Sequence, residues 1–283
     1  MRLATVVSER QRIAVCDQGD GVARALPAPD VGSLLRAPDW QTTCSSARDE
    51  VDLAGAEFLP LIPEPEKIIC IGLNYRSHIL EMGRELPTHP TLFAKYHRAL
   101  IGANEPVILP APSTSAQMDW EVELAVIVGH QVRNATPESA VRAIAGYTVI
   151  NDVTARDWQR RTEQWLQGKT WEKTTPLGPW LVTADEADPA GEGRPDLQVR
   201  CEIDGEIVQE AKTSDLVFGP ADLVAYISTI ITLAPGDVIA SGTPGGVGVA
   251  RTPQRFLQPG NVLTTTIEGI GSCRNPCVAE AVE

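Results

Sequence analysis

Three acidic residues, Glu121, Glu123 and Asp152, stand at the ends of two apolar runs, Val122-Glu-Leu-Ala-Val-Ile-Val-Gly129 and Gly146-Tyr-Thr-Val-Ile-Asn-Asp152, whose composition is that of buried strands. Acids rarely belong there. A strand alternates its side chains, so Glu121 and Glu123 share one face while Trp120, Val122 and Leu124 take the other. Like charges buried together are costly unless something neutralises them, and a bound divalent cation does so. An all-oxygen donor set favours a hard ion, Mg²⁺ first, with Mn²⁺ or Ca²⁺ behind it. The same spacing also fits an exposed edge strand whose outward face carries Glu-x-Glu.

A chain of 283 residues with 43% hydrophobic content reads as a globular protein with a sizeable core. Its formal net charge of −13 repels polyanions, and no basic run exceeds Arg160-Arg161, so nucleic acid and anionic membranes are excluded as expected partners. A small molecule is the expected ligand. If that ligand is itself an acid, a local patch of Lys, Arg or metal must override the global repulsion. Residues 1–9 lack the apolar core of a signal peptide, and no stretch approaches the length of a membrane span, so the expected location is the cytoplasm. The six cysteines are too sparse for a disulfide framework, and Cys273 and Cys277 lack a second Cys/His pair that would complete a zinc site. All six are expected to be reduced and structural.

Residues 1–62 read as a small N-terminal α/β unit, with strands at 3–7 and 12–16, Gln18-Gly-Asp-Gly21 as the turn between them, and a helical turn at 31–35. Pro60, Pro63 and Pro65 make a stiff connector. From residue 67 to 283 the pattern is mostly strands: 68–72, 107–109, 122–128, 147–150, 180–183, 198–203, 207–209, 238–241 and 262–267. Asp204-Gly205 signals a hairpin. Helices are predicted at 136–145, behind a capping Thr136, and at 220–233, opened by Pro220. Without regular βα alternation the expected class is α+β and strand-dominated.

Two familiar signatures fail. Gly168-Lys169-Thr170 has Glu163 where a phosphate-binding loop needs glycine, and Gly242-Thr-Pro-Gly-Gly-Val-Gly248 does not fit the dinucleotide fingerprint. What stands out is an ordered set: Gly72-Leu-Asn-Tyr-Arg-Ser-His78-Ile-Leu-Glu81, Asp119-Trp-Glu121-Val-Glu123, Asn151-Asp152-Val-Thr-Ala-Arg156-Asp157-Trp-Gln159, Gly168-Lys169-Thr, Pro176-Leu-Gly-Pro and Ser241-Gly-Thr243. This arrangement resembles the fumarylacetoacetate hydrolase family, over roughly residues 67–278. The resemblance implies Mg²⁺ or Mn²⁺ on Glu121, Glu123 and Asp152, in a rolled mixed-β sandwich core that commonly forms homodimers.

His78 and Glu81, three apart, would share one side of a short helix that Gly83 can end. A carboxylate beside an imidazole raises its basicity and so activates water near neutral pH; a lone histidine near a surface turn is otherwise simply solvated. Both residues match the family's catalytic His–Glu pair, on a polar segment that suggests a mobile lid. Lys169 resembles the family's active-site lysine, able to stabilise an enolate; Arg156, Gln159 and, near the site, Lys95 match substrate-pocket positions. Arg156 equally fits a strut for Asp152 or Asp157, the latter expected to be structural. Thr243 resembles the position that receives a substrate carboxylate in a nest of backbone N–H groups. Glu172-Lys173 and His97-Arg98 depart from the family pattern and leave the substrate open.

The implied chemistry is metal-assisted reaction of a 2-oxo or dicarboxylic acid through an enolate. The leading expectation is an acylpyruvase-type C–C hydrolase with His78, Glu81 and Lys169 catalytic. An oxaloacetate-type decarboxylase, a hydroxymuconate-type isomerase and a non-catalytic dicarboxylate-binding scaffold stand beside it.

Overall fold

Strand Val122–Val128 pairs antiparallel with Ile144–Asn151 on one side and Val238–Ala240 on the other, so the strand that carries Glu123 lies inside its sheet. The exposed-edge reading is thereby excluded. The computed structural model describes residues 1–281, and this strand is central to an eleven-stranded sheet. The path through that sheet runs Ala23–Ala25, Gln11–Asp17, Arg2–Ser8, Thr175–Thr183, Ile144–Asn151, Val122–Val128, Val238–Ala240, Ile68–Gly72 and Thr91–Lys95. The N-terminal strands therefore continue the main sheet, joined through Arg2 opposite Val182 and Leu3 opposite Leu181.

The two faces of the sheet have different covers. Val122, Leu124, Val126 and Val128 pack against a second, five-stranded sheet through Val199, Cys201, Leu263 and Cys273. Ala125 and Ile127, of opposite parity, pack with Leu34, Leu35, Trp40, Leu61 and Ile62 from the N-terminal unit. This is the expected mixed-β, strand-dominated α+β architecture, with two main hydrophobic cores divided by one sheet and a smaller cluster of Ala4, Val6, Val15 and Ala23 on the N-terminal strands. Glu123 shares its parity with Ala125, and Asp152 shares that of Ile150, so both acids sit where the second face runs out of apolar cover.

Several local expectations need correction. Gln18–Gly21 follows the second strand; the turn between the first two is Glu9-Arg10, with φ of 49° and 65°. Those two residues carry no glycine signal, whereas Asp17 accepts the N–H groups of Gly19, Asp20 and Gly21 and makes the later turn. The helix expected at 136–145 is Pro137–Ala143, because Ile144 already belongs to the next strand. The helix expected at 220–233 is Pro220–Ser228, since Leu233 bridges to Val132. Helix Trp40–Ser46 and strands Thr91–Lys95 and Gly271–Ala279 had no strong sequence signal, although Cys273, Asn275 and Cys277 alternate inward in the last. All six cysteines are free and buried.

Candidate metal centre and active site

Register brings the three carboxylates together. Glu123 lies opposite Ile150 and Val122 opposite Asn151, and beyond the last pair the Asp152 N–H donates to the Glu121 carbonyl at 2.9 Å. One ligand oxygen from each of Glu121, Glu123 and Asp152 falls within 4.8 Å of the others, and all three side chains are buried. Asn151 fixes the hinge between the two strands: its Oδ1 accepts the Glu121 N–H at 2.9 Å, and its Nδ2 donates to Thr265.

Three cations answer these acids. Lys169 Nζ donates to Glu121 Oε2 at 2.6 Å and to Asp152 Oδ2 at 2.7 Å. Lys95 Nζ donates to Asp152 Oδ1 at 2.6 Å. Arg156 reaches Glu121 Oε1 at 2.6 Å through Nη1 and Asp119 Oδ2 at 2.8 Å through Nε. Burial by itself opposes ionisation of Asp152, but Lys169 and Lys95 outweigh it and hold the carboxyl below its usual range. Burial likewise opposes the charge on Lys169, and Asp152 and Glu121 overcome it, so the ammonium stays charged. Glu123 is the exception. Burial, reinforced by Asp152 and Glu121, pushes it well above the ordinary carboxylate range; its Oε2 accepts the Gly242 N–H at 2.7 Å, and among the described residues no cation pairs with it.

This donor set fits a hard divalent cation: clustered carboxylate oxygens, no sulfur or imidazole, and one acid whose charge the protein leaves uncompensated. Glu121, Glu123 and Asp152 are the residues that would hold it. The Lys169 ammonium lies on two of these carboxylates and shares their charge with any entering ion.

The expected pocket residues fall into three groups. Glu121, Glu123, Lys169, Arg156, Gln159, Thr243 and His78 all line one cavity of about 490 Å³. Lys95 is buried beneath it, donating also to the Val153 carbonyl, and does not line the wall. Glu81 is exposed on helix Arg76–Glu81, and no hydrogen bond joins it to His78. Both side chains instead crowd the same backbone: a Cβ on Gly245 would lie 3.2 Å from His78 Nδ1 and 3.4 Å from Glu81 Oε2. Burial lowers the His78 pKa despite the opposing pull of Glu81 and Glu121. The imidazole is therefore neutral at pH 7 and available as a base.

Arg156 acts as a strut, but for Glu121 and Asp119 rather than for Asp152 or Asp157. Asp119 is fully buried and accepts N–H groups from Trp120, Gly248 and Val249 besides the guanidinium. Asp119-x-Glu121-x-Glu123 extends the period of two by one step, which is the signal that marks it. The glycine-rich loop thus spends the N–H groups of Gly242, Gly248 and Val249 on protein carboxylates. Thr243 Oγ1 accepts from Gln209 Nε2 at 2.9 Å, and Gln209 Oε1 in turn accepts the Val122 N–H, a link without sequence signal. Asp157 accepts from Ser115 Oγ and is structural, as expected.

The family model described as fumarylacetoacetate (FAA) hydrolase C-terminal matches residues 67–278. The mitochondrial oxaloacetate tautomerase of Rattus norvegicus is 42% identical over 267 residues, covering 90% of this chain and 81% of that protein. The crystal structure of 5-carboxymethyl-2-hydroxymuconate delta-isomerase from Mycobacterium smegmatis is similar with a TM-score of 0.81 and 34% identity, covering all of both chains. Maleylpyruvate hydrolase from Sphingobium sp. SYK-6, solved in complex with manganese(II) ion and pyruvate, is similar with a TM-score of 0.79 and 26% identity, over 99% of this chain and 100% of that one. Among the described residues no helix is long and apolar enough to cross a membrane.

Proposed function

The chain belongs to the fumarylacetoacetate hydrolase family, and from that premise we propose that it is a divalent-metal-dependent enzyme that interconverts the keto and enol forms of oxaloacetate or a related 2-oxo diacid. The observation that carries this reading is the meeting of three buried carboxylates with a buried, charged lysine at a cavity that Glu121, Glu123 and Lys169 line. A divalent ion there supplies Lewis acidity to a 2-oxo group and its neighbouring carboxylate. The remaining chemistry belongs to the chain. Lys169, itself buried, places a fixed positive charge where the 2-oxo oxygen gains negative charge. As the C3–H bond breaks, its electrons form the C2=C3 double bond and the oxygen takes up charge. Neutral His78 in the cavity wall accepts the C3 proton and, as imidazolium, returns it to the oxygen, which completes the enol and restores the neutral imidazole. Thr243 and Gln159 orient the substrate carboxylate. Arg156 holds Glu121 in the cavity lining.

The 42% identity to a protein named as an oxaloacetate tautomerase favours tautomerisation over bond cleavage. The exposed Glu81, not bonded to His78, also favours it, because proton transfer does not require the paired base that water activation does. Acylpyruvate-type C–C hydrolysis is the second reading, supported by the position of His78 and the likeness to maleylpyruvate hydrolase. The test is to follow decay of enol-oxaloacetate by ultraviolet absorbance, and pyruvate release from acylpyruvates, with Mg²⁺, Mn²⁺ or chelator. Metal-dependent enol decay without pyruvate supports the first reading. Pyruvate release without enol decay overturns it for the second.

A further inference from the structure

Gln209, buried on strand Glu206–Lys212 of the five-stranded sheet, reaches across to the first residue of the strand that carries Glu123. Its amide makes three hydrogen bonds. Oε1 accepts the Val122 N–H at 3.0 Å, while Nε2 donates to the Pro244 carbonyl at 3.0 Å and to Thr243 Oγ1 at 2.9 Å. The backbone decides which end of the amide is which. An N–H only donates and a carbonyl only accepts, so turning the amide over would set Nε2 against the Val122 N–H and Oε1 against the Pro244 carbonyl. One orientation survives, and in it Thr243 meets a donor.

A hydroxyl has a single hydrogen to give. Because Thr243 Oγ1 accepts from Gln209, that hydrogen is directed elsewhere, and among the described residues the hydroxyl makes no other hydrogen bond. Thr243 lines the cavity together with Glu121, Glu123 and Lys169, so the hydrogen is left for a ligand. Position is set as firmly as polarity. Gly242, just before Thr243, gives its N–H to Glu123 Oε2 at 2.7 Å, and Pro244, just after it, is held by Gln209. These bonds close a ring through Val122, Glu123, Gly242, Thr243, Pro244 and Gln209, which ties the hydroxyl to the strand of the candidate metal ligands. The loop lies so close to the Gln209 strand that a Cβ on Gly246 would be 2.2 Å from the Val208 carbonyl.

We propose that Gln209 is a positioning residue of this site: by donating to Thr243 it turns the threonine hydroxyl into a fixed donor, beside the acids, for the carboxylate of a 2-oxo acid. The proposal rests on the 2-oxo acid reading above and names what prepares one of its contacts. A hydroxyl without such a neighbour divides its time between donating and accepting, whereas a carboxylate only accepts. Fixing the donor beforehand removes that cost from binding.

The test is a double-mutant cycle on pyruvate binding to the Mn²⁺-loaded protein, measured by calorimetry for Thr243→Val, Gln209→Met, Gln209→Glu and each Gln209 variant combined with Thr243→Val. Gln209→Glu keeps an acceptor for the Val122 N–H, so it spares that bond if Gln209→Met does not fold. Thr243→Val should weaken pyruvate about tenfold in otherwise wild-type protein, the loss of one hydrogen bond to a charged group, and about twofold or less in either Gln209 background. Each Gln209 variant alone should weaken pyruvate about tenfold and raise KM for enol decay similarly, with kcat changed less than about threefold. A Thr243→Val cost that stays about tenfold in a folded Gln209 variant, or Gln209 variants that bind pyruvate as the wild-type protein does, overturns the proposal while wild-type pyruvate binding upholds the reading beneath it. Failure of the wild-type protein to bind pyruvate and oxalate overturns both.

Discussion

Lys169 holds its ammonium 2.7 Å from Asp152 although 17 residues separate them, and both side chains are buried. The same ammonium touches Glu121, so with Lys95 and Arg156 the lysine offsets two of the three candidate metal ligands before any ion enters. This explains how such an acidic cluster folds at all. Among the described residues Glu123 alone of the three has no cation paired with it, and burial disfavours its charge until an ion enters.

Removing the lysine should therefore separate catalysis from metal binding. Lys169→Met takes away the charge proposed to stabilise the enolate, and turnover should fall about 100- to 1,000-fold. Mn²⁺ affinity, measured by calorimetry, should hold or rise, because a competing cation has gone. A parallel loss of both would show that Lys169 only shapes the site.

The three ligands should differ in what they do to the metal-free fold. Glu123 has its pKa raised by burial and by Asp152 and Glu121, so its ionisation in the folded state is penalised, and that penalty grows as pH rises past the ordinary value of 4.5. Glu123→Gln removes it, and the apo protein should melt at the same or a higher temperature. Asp152 has a depressed pKa and supplies stability that is present above the ordinary value of 3.8 and lost below it. Asp152→Asn strands buried Lys95, takes one of the two carboxylates from Lys169, and should cost about 3–5 kcal/mol in the apo protein. Both substitutions should abolish tight Mn²⁺ binding. Opposite orders of apo melting temperature would sink this assignment of charges.

The acid limb of the rate profile should report His78. Burial lowers its pKa below the ordinary 6.5, so the folded protein keeps the imidazole neutral to lower pH than the unfolded chain does. Activity should be level at neutral pH and fall only as pH drops below about 6.5, the ordinary value. Its contribution to stability is lost in the same direction, since the unfolded state binds the proton more readily. His78→Gln should erase that limb while leaving Mn²⁺ affinity unchanged; a limb that persists belongs to another group.

Asp215 caps the His78 helix from a distant part of the chain. Its Oδ2 accepts both the Ser77 N–H, at 3.1 Å, and the Ser77 hydroxyl. A carboxylate at this end also suits the helix dipole. Asp215→Ala should destabilise the protein by about 0.5–2 kcal/mol and speed amide exchange at residues 77–82. It should lower turnover without changing Mn²⁺ affinity, and Asp215→Asn should restore part of the loss. Unchanged exchange in that helix would remove Asp215 from this role.

Alternation in 119–128 was enough to assign the strand, its two faces and the unusual position of Glu121 and Glu123, because side-chain direction in a strand is fixed by local geometry. The ordered motifs identified the family for the same kind of reason: each is a short stretch whose residue types suit one task. What lay beyond them was any partnership across the chain. No local rule predicts that Asp215 caps a helix 138 residues away, that Gln209 ties Thr243 to Val122, or that Arg84 and Arg160 meet one cavity. Local rules also misplaced the first turn, where Glu9 and Arg10 take left-handed backbone conformations without glycine because strand pairing demands it. The sequence by itself determined which acids could hold an ion. Tertiary structure decided that they meet, which cations answer them and which way the Thr243 hydroxyl is turned, because hydrogen-bond register and burial set distances between residues that chain spacing leaves open.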